Sequence, residues 1–225
     1  GPVKGAVPLF YGTSPEHCQV YASDLKPLGL EGTSCTIHLP SGSFDCIVPT
    51  PGAHMVSNAL AGAAVGYKLG LTLAEIKAGI ENLPFIPGRN HIIRTEKLII
   101  LDDCYNANPV SMKASIDVLN MAIGRKVAIL GDMGELGADT KALHRSVGEY
   151  AAEQGIDLVC AIGKLSGEMA DGVRSAHSHT EALWFPTKAD FLSHAQNVIK
   201  NGDNILIKAS HGMEFPELVD ALRKF

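Results

Sequence analysis

The strongest constraint on this chain is a series of short, continuously apolar segments that alternate with helical patterns through its second half. "KLIILDD", "KVAILGD", "DLVCAIG" and "NILIKAS" are the apolar runs, with "EALWF" as a further strand. Between them lie "VSMKASIDVLNMA", "TKALHRSVGEYAAEQG", a short helix near 165–173 and "KADFLSHAQNVIKNG", and "GMEFPELVDALRKF" closes the chain as a helix. A strand with one wet face alternates apolar and polar residues, whereas a strand apolar throughout is buried on both faces. The pattern therefore specifies a parallel sheet covered by helices on both sides. Residues 90–225 are expected to form a complete, doubly wound α/β domain.

The first part of the chain follows a different rhythm. Residues 3 to about 50 read as β structure, and "CTIHLP" and "FDCIVP" alternate around "SGS" as a hairpin does. "PTPGAH" breaks the alternation. Residues 54–70 read as a small-residue helix ending at Gly70, and a second helix starts at Thr72, with Glu75 completing a capping box. One hairpin offers these helices only part of the sheet they need, so residues 1–83 are expected to be the incomplete end of another α/β unit. "PFIPGR", residues 84–89, has two Pro and a Gly and is expected to be a hinge linker.

Bulk properties remove several function classes. The 225 residues suffice for one large domain or two modest ones, and 46% hydrophobic with 19% charged residues fits a globular protein with a real core. A net charge of −5 argues against nucleic acid held by general electrostatics. No apolar stretch is long enough to span a bilayer, and no signal peptide opens the chain. The five Cys are scattered and odd in number, without a C-x-x-C spacing, which argues against a disulfide framework and a zinc site and for a reducing cytoplasm. The Gly-Pro start without Met is expected to be a protease-cleavage scar, with native sequence from about Val3 and further residues upstream.

In open parallel sheets, ligands bind beyond the carboxyl ends of the strands. Three strand ends here are polar or Gly-rich, "LDDCYNANP", "LGDMGELG" and "IKASHGME", and all three belong on one edge of the sheet. Asp102 and Asp103 suit sugar hydroxyls, a metal or an amine, or else a capped turn. Asn106 and Asn108 suit a polar substrate, or the same turn. Lys208, Ser210 and His211, at the expected start of the last helix, suit an anion, unless Ser210 is only a cap. Asp132 and Glu135 are better read as parts of a Gly-rich structural loop than as a carboxylate pair, and His144 as a packing or capping residue. Arg89 is placed to reach a phosphate across a domain boundary. There is no G-x-x-x-x-G-K-[ST] run, the one Gly-Lys pair being Gly163-Lys164 followed by Leu165, and no G-x-G-x-x-G after a strand.

"LDDCYNANPVSMKASIDVL", "AILGDMGELG" and "HRSVGEY" together resemble the C-terminal domain of the Mur ligases, in the branch that adds a D-Ala-D-Ala dipeptide. The D-D-x-Y-N-A-N-P form marks that branch, and the D-N-P-R motif of the branch that adds diaminopimelate or lysine is absent. "PTPGAHMVSNALAG" and "IPGR" resemble the end of the family's central ATPase domain. The resemblance implies a Rossmann-like C-terminal domain preceded by the last part of that ATPase domain. The implied activity is peptidoglycan precursor synthesis: ATP-dependent ligation of D-Ala-D-Ala to UDP-N-acetylmuramoyl-tripeptide through an acyl phosphate, in a cytoplasmic monomer.

By matched position, the resemblance places His54 and Asn58 by the adenine, Arg89 on the ATP phosphates and Asp103 on the ribose hydroxyls. It places Asn106, Asn108, Lys208, Ser210 and His211 where dipeptide and acceptor carboxylate meet, with Lys208 as the catalytic candidate that stabilises negative charge. Two departures are Met55, where the family has Asn, and Cys104, where it has Ser. The family's uridine-nucleotide domain, Gly-rich ATP loop and magnesium ligands would all precede residue 3, so the chain is expected to be a portion that is inactive alone and to contain no metal ligand. A non-catalytic binding module with a Mur-like fold is the alternative. An unrelated Rossmann-like nucleotide binder ranks last, because "DDCYNANP" lacks a Gly-rich first turn.

Overall fold

The computed structural model describes residues 7–225, so the expected scar and native start near Val3 lie outside the described residues. The chain divides into two compact units, with the boundary between Pro84 and Phe85.

In the first unit, strands β1 (Tyr11–Gly12), β2 (Val20–Pro27), β3 (Thr33–Leu39) and β4 (Gly42–Val48) lie side by side in that order. β1 runs parallel to β2, and the other neighbours are antiparallel. The expected hairpin is β3–β4, closed where Leu39 pairs with Gly42. Its period-2 pattern turns Cys35, Ile37, Leu39, Cys46 and Val48 inward, where they meet Val56, Leu60 and Ala63 of helix α1 (Ala53–Lys68) and Ile76 and Ile80 of helix α2 (Leu73–Glu81). β1 and β2 widen the hairpin into a sheet, so α1 finds more apolar surface than one hairpin could supply. Gly70, at φ 82°, ends the turn after α1. The capping box forms: Glu75 N donates to Thr72 Oγ1 at 3.2 Å, and Thr72 N donates to Glu75 Oε2 at 2.8 Å.

The second unit holds β5 (His91–Arg94), β6 (Ile99–Asp102), β7 (Lys126–Gly131), β8 (Leu158–Ile162), β9 (Glu181–Phe185) and β10 (Asn204–Lys208). Their spatial order is β5-β6-β10-β7-β8-β9, all parallel except β5. Helices α3 (Pro109–Asn120), α4 (Thr140–Glu153), α5 (Gly167–Ser175), α6 (Lys188–Val198) and α7 (Pro216–Leu222) provide the connections and the closing element. The continuously apolar strands β8 and β10 are buried throughout, and β7 is buried from Val127 on, as double coverage requires. β5 is an antiparallel edge strand that four residues of mixed character did not announce.

Two features of "HRSVGEY" are structural. His144 is fully buried on α4, with Nε2 accepting from Met133 N at 2.9 Å and Nδ1 donating to Thr140 O at 2.6 Å. It therefore acts as an internal cap, as its position on a helix suggested. Gly148 brings α4 against the backbone of α5 so closely that a Cβ would collide with the Met169 carbonyl.

The end of the chain corrects one expectation. His211–Met213 form a single 3-10 turn, Glu214 takes a left-handed φ of 54°, and α7 starts only at Pro216. Proline at the first helical position and the buried Phe215 set this start. Lys208, Ser210 and His211 therefore precede the last helix and do not lie at its N-terminus.

Candidate functional site

The three polar strand ends do converge. β10 lies between β6 and β7, with Ile207 opposite Asp102 and Lys208 opposite Leu130, so the loops after β6, β7 and β10 leave the sheet as neighbours. This juxtaposition follows from the order of strands, because β6 connects through α3 to β7 and passes over the position that β10 fills later.

At the centre is an ion pair. Lys208 Nζ donates to Asp103 Oδ2 at 2.5 Å, to Asn106 O at 3.1 Å and to Asp103 O at 3.3 Å. The lysine side chain is 3% exposed and the aspartate 16%. An ammonium has three donors, and three acceptors surround this one. Asp103 also accepts from Ser115 Oγ at 2.6 Å and from Asn90 N at 3.0 Å. In the structure Lys208 is a buried tie that holds the Asp103–Asn106 turn.

Asp102 has a different task. Its buried carboxylate accepts from Gly88 N at 2.9 Å and from Cys104 Sγ at 2.8 Å. Burial, followed by the hydrogen bond to Asp102, pushes the Cys104 pKa up. Tyr105 N donates to Gly88 O at 3.0 Å, and Gly88, at φ 73°, lies against the Tyr105 backbone. Residues 88–90 are thus strapped to the β6 loop at three points, and Phe85 stacks on His91 with centroids 5.3 Å apart. Of residues 84–89, Pro84 lies in the first unit and 85–89 in the second.

This strap fixes Arg89. Its guanidinium carbon lies 3.7 Å from the Tyr105 ring centroid, and the His211 ring is 5.8 Å from the same ring. Arg89, Tyr105, Asn106 and His211 are all exposed. Together they form a cationic, aromatic rim beside the buried Asp103–Lys208 pair. Tyr105 is the residue that the motif contains but the sequence reading passed over, and its aromatic type within a loop of small polar residues was the available signal.

Three expected ligand residues have local partners. Asn108 caps α3, accepting from Ser111 N at 2.9 Å, while its own N–H donates to Ser111 Oγ at 3.1 Å. Its side-chain oxygen is committed to this cap, in line with the turn reading. Ser210 makes no side-chain cap of the following turn; its Oγ accepts from Gly134 N at 2.7 Å and joins the β10 loop to the β7 loop. Asn106 Oδ1 accepts from Ala107 N at 2.8 Å. The structural reading of "GDMGELG" holds, since Asp132 Oδ1 accepts from Leu165 N, Ser166 N and Ser166 Oγ at 2.6–3.1 Å. His54 and Asn58 belong to the first unit, exposed and one turn apart on α1, where Asn58 Nδ2 approaches Met55 Sδ at 3.6 Å. A cleft of about 310 Å³ between α1 and α2 includes Asn58 in its lining.

A parallel sheet with a polar, ligand-ready edge and a cation-bearing entry loop defines a Rossmann-like domain, and the comparisons identify which. Residues 88–211 match the Mur ligase, glutamate ligase domain, and the chain belongs to the Mur ligase family. It is similar to the UDP-N-acetylmuramoyl-tripeptide–D-alanyl-D-alanine ligase of Escherichia coli (strain K12), with 42% identity over 196 residues, covering 86% of this chain and 42% of that protein. Its fold matches a crystal structure of MurF from Acinetobacter baumannii, with a TM-score of 0.87 and 30% identity, over 96% of this chain and 47% of that one. It also matches the MurF ligase of Thermotoga maritima in complex with ADP, at a TM-score of 0.77 and 23% identity, over 96% of this chain and 48% of that one. The chain thus spans less than half the length of each of these relatives.

Proposed function

We propose that this chain is the C-terminal portion of an ATP-dependent ligase that joins D-Ala-D-Ala to UDP-N-acetylmuramoyl-tripeptide in the cytoplasm, as a step of peptidoglycan precursor synthesis. The observation that carries this reading is the rim at the β6–β10–β7 edge, where Arg89 is stacked on Tyr105 beside an internally braced Asp103. The similarity to D-alanyl-D-alanine ligases over 86% of the chain supports it.

The residues present suit an adenine nucleotide. When bound, ATP supplies the phosphoryl group that activates the tripeptide's terminal carboxylate as an acyl phosphate. Arg89 is held on an aromatic face with its charge exposed, which suits phosphate oxygens at low ordering cost. Asp103 is a partly exposed acceptor, and ribose hydroxyls would share a carboxylate that three internal donors already orient. His54 and Asn58 are assigned to the adenine. The dipeptide amine then attacks the activated carbonyl and phosphate leaves. Positioning and charge stabilisation account for the acceleration of such a step. Asn106 and His211 are the exposed groups assigned to the acceptor and dipeptide. Lys208, Ser210 and Asn108 hold the loops that carry them. Among the described residues no group of three or more His, Cys, Asp or Glu could hold a metal ion. No helix of the described residues is long and apolar enough to cross a membrane.

The test is phosphate release by the complete product of the gene, given ATP and UDP-N-acetylmuramoyl-tripeptide. Release should depend on D-Ala-D-Ala and not on single amino acids, and the 225-residue chain alone should release none above background. Release indifferent to the dipeptide would overturn the substrate assignment, and ligation by the chain alone would overturn the view that it needs a phosphate-binding loop from elsewhere.

A further inference from the structure

Cys35 of β3 and Cys46 of β4 stand directly opposite each other in the antiparallel register. Both are buried, and their sulfurs are 3.9 Å apart. On either side of Cys46, Asp45 O accepts from Lys77 Nζ and Ile47 N donates to Glu81 Oε1 at 3.3 Å, so the backbone polar groups of Asp45 and Ile47 face outward to α2. Polar directions alternate along a strand, so those of Cys46 face Cys35. In such a hydrogen-bonded pair the Cα atoms are about 5.5 Å apart. That lies inside the window of about 4.4–6.8 Å that a disulfide needs. Bringing the sulfurs to bonding distance requires side-chain rotation and no change of register.

We propose that Cys35 and Cys46 form a modification site, a dithiol that low-molecular-weight disulfides of the glutathione type close into a reversible cross-strand bond. None of the other three cysteines has another cysteine's sulfur within hydrogen-bond distance; Cys104 and Cys160 are buried in the second unit, and Cys18 is partly exposed in the first.

The two thiols are chemically unequal. The hydrogen bond between the sulfurs holds the Cys35 thiol below its ordinary value and pushes that of Cys46 up. Cys35 is accordingly the first nucleophile. Its thiolate attacks one sulfur of the small disulfide, forming a mixed disulfide and expelling one thiolate. Cys46 then loses its proton to water and attacks the Cys35 sulfur, expelling the second thiolate. Two protein thiols are oxidised, one small disulfide is reduced to two thiols, and no other reactant is needed. Access comes from the edge: β4 is the outermost strand of its sheet, held from outside by the Lys77–Glu81 pair, whose side chains are 39% and 33% exposed. Edge strands open locally at lower cost than the core they flank.

The experiment incubates the purified chain with oxidised glutathione and maps its peptides by mass spectrometry without reduction. The expected result is a Cys35–Cys46 cross-linked peptide, two hydrogens lighter than the sum of its parts, the loss of two of the five thiols, and complete reversal by dithiothreitol. Cys46→Ser should instead accumulate a stable glutathione adduct on Cys35. Retention of both thiols, glutathione on Cys18 alone, or a cross-link involving another cysteine overturns the proposal. Should Cys46→Ser fail to fold, the map of the unaltered chain decides by itself.

Discussion

Replacing Asp103 by alanine tests the arrangement at the strand ends most directly. The substitution deletes the carboxylate that accepts from Lys208 at 2.5 Å, while the lysine side chain has only 3% exposure. Two main-chain carbonyls, at 3.1 and 3.3 Å, remain to the ammonium, and they do not neutralise its charge. Breaking a buried pair from one side costs about 3–5 kcal/mol. Lys208→Met should be milder, because the methionine fills the space of the apolar stem. Asp103 then keeps the Ser115 and Asn90 donors and its 16% exposure. We expect a loss of about 1.5–3 kcal/mol, the range for a hydrogen bond to a charged group. The double variant removes both charges and should lie short of the sum by about 1–3 kcal/mol, as neighbours in one network do. The single tryptophan, Trp184, lies on β9, so its fluorescence during urea unfolding reports on the second unit alone. Additive losses, or a D103A variant weakened by no more than about 1 kcal/mol, would refute the view that this pair is a buried, mutually dependent tie.

Further outcomes follow from individual contacts. Gly148→Ala should cost at least about 1–3 kcal/mol by Trp184 fluorescence, because a Cβ there meets the Met169 carbonyl. Gly62→Ala on α1, with nothing within 4 Å, should instead stabilise the first unit by about 0.5–1 kcal/mol; circular dichroism melts showing the reverse order would contradict both readings. Gly88→Ala should loosen the strap and increase proteolytic cleavage between 84 and 90, since φ is 73° and a Cβ would lie 3.2 Å from Tyr105 N; unchanged cleavage would show that the strap does not protect this segment. Burial pushes the Cys160 thiol up to about 12, whereas an unfolded thiol ionises near about 8.5. The folded state therefore retains a proton that the unfolded state releases, and this contribution is full below about 8.5 and fades as pH rises towards about 12. Cys160→Ala should flatten that decline in the urea midpoint, and an identical slope would show that the thiol is not shielded.

The strands and helices of the second unit were legible because their pattern is local. "KVAILGD", "DLVCAIG" and "NILIKAS" carry double-sided burial in their composition, and Thr72 with Glu75 announces a helix start in four residues. The boundaries of β5 and α7 were not legible. Four residues of β5 offer too little periodicity, and the delay of α7 to Pro216 depends on where the buried Phe215 finds its pocket. Asn108 shows the same limit at the site: its type suits substrate or cap equally, and only the presence of Ser111 at the right distance decides for the cap.

The sequence by itself determined that the strand ends after β6, β7 and β10 share one edge, since parallel strands present all their carboxyl ends on the same side. It could not determine which of those ends touch. Lys208 and Asp103 are 105 residues apart, and they meet because β10, the last strand in the chain, lies between β6 and β7. That insertion buries the ammonium against the β6 loop and makes Lys208 the brace of a site whose exposed members are Arg89, Tyr105, Asn106 and His211. Strand order is a long-range property of packing, and a side chain's partners follow from it.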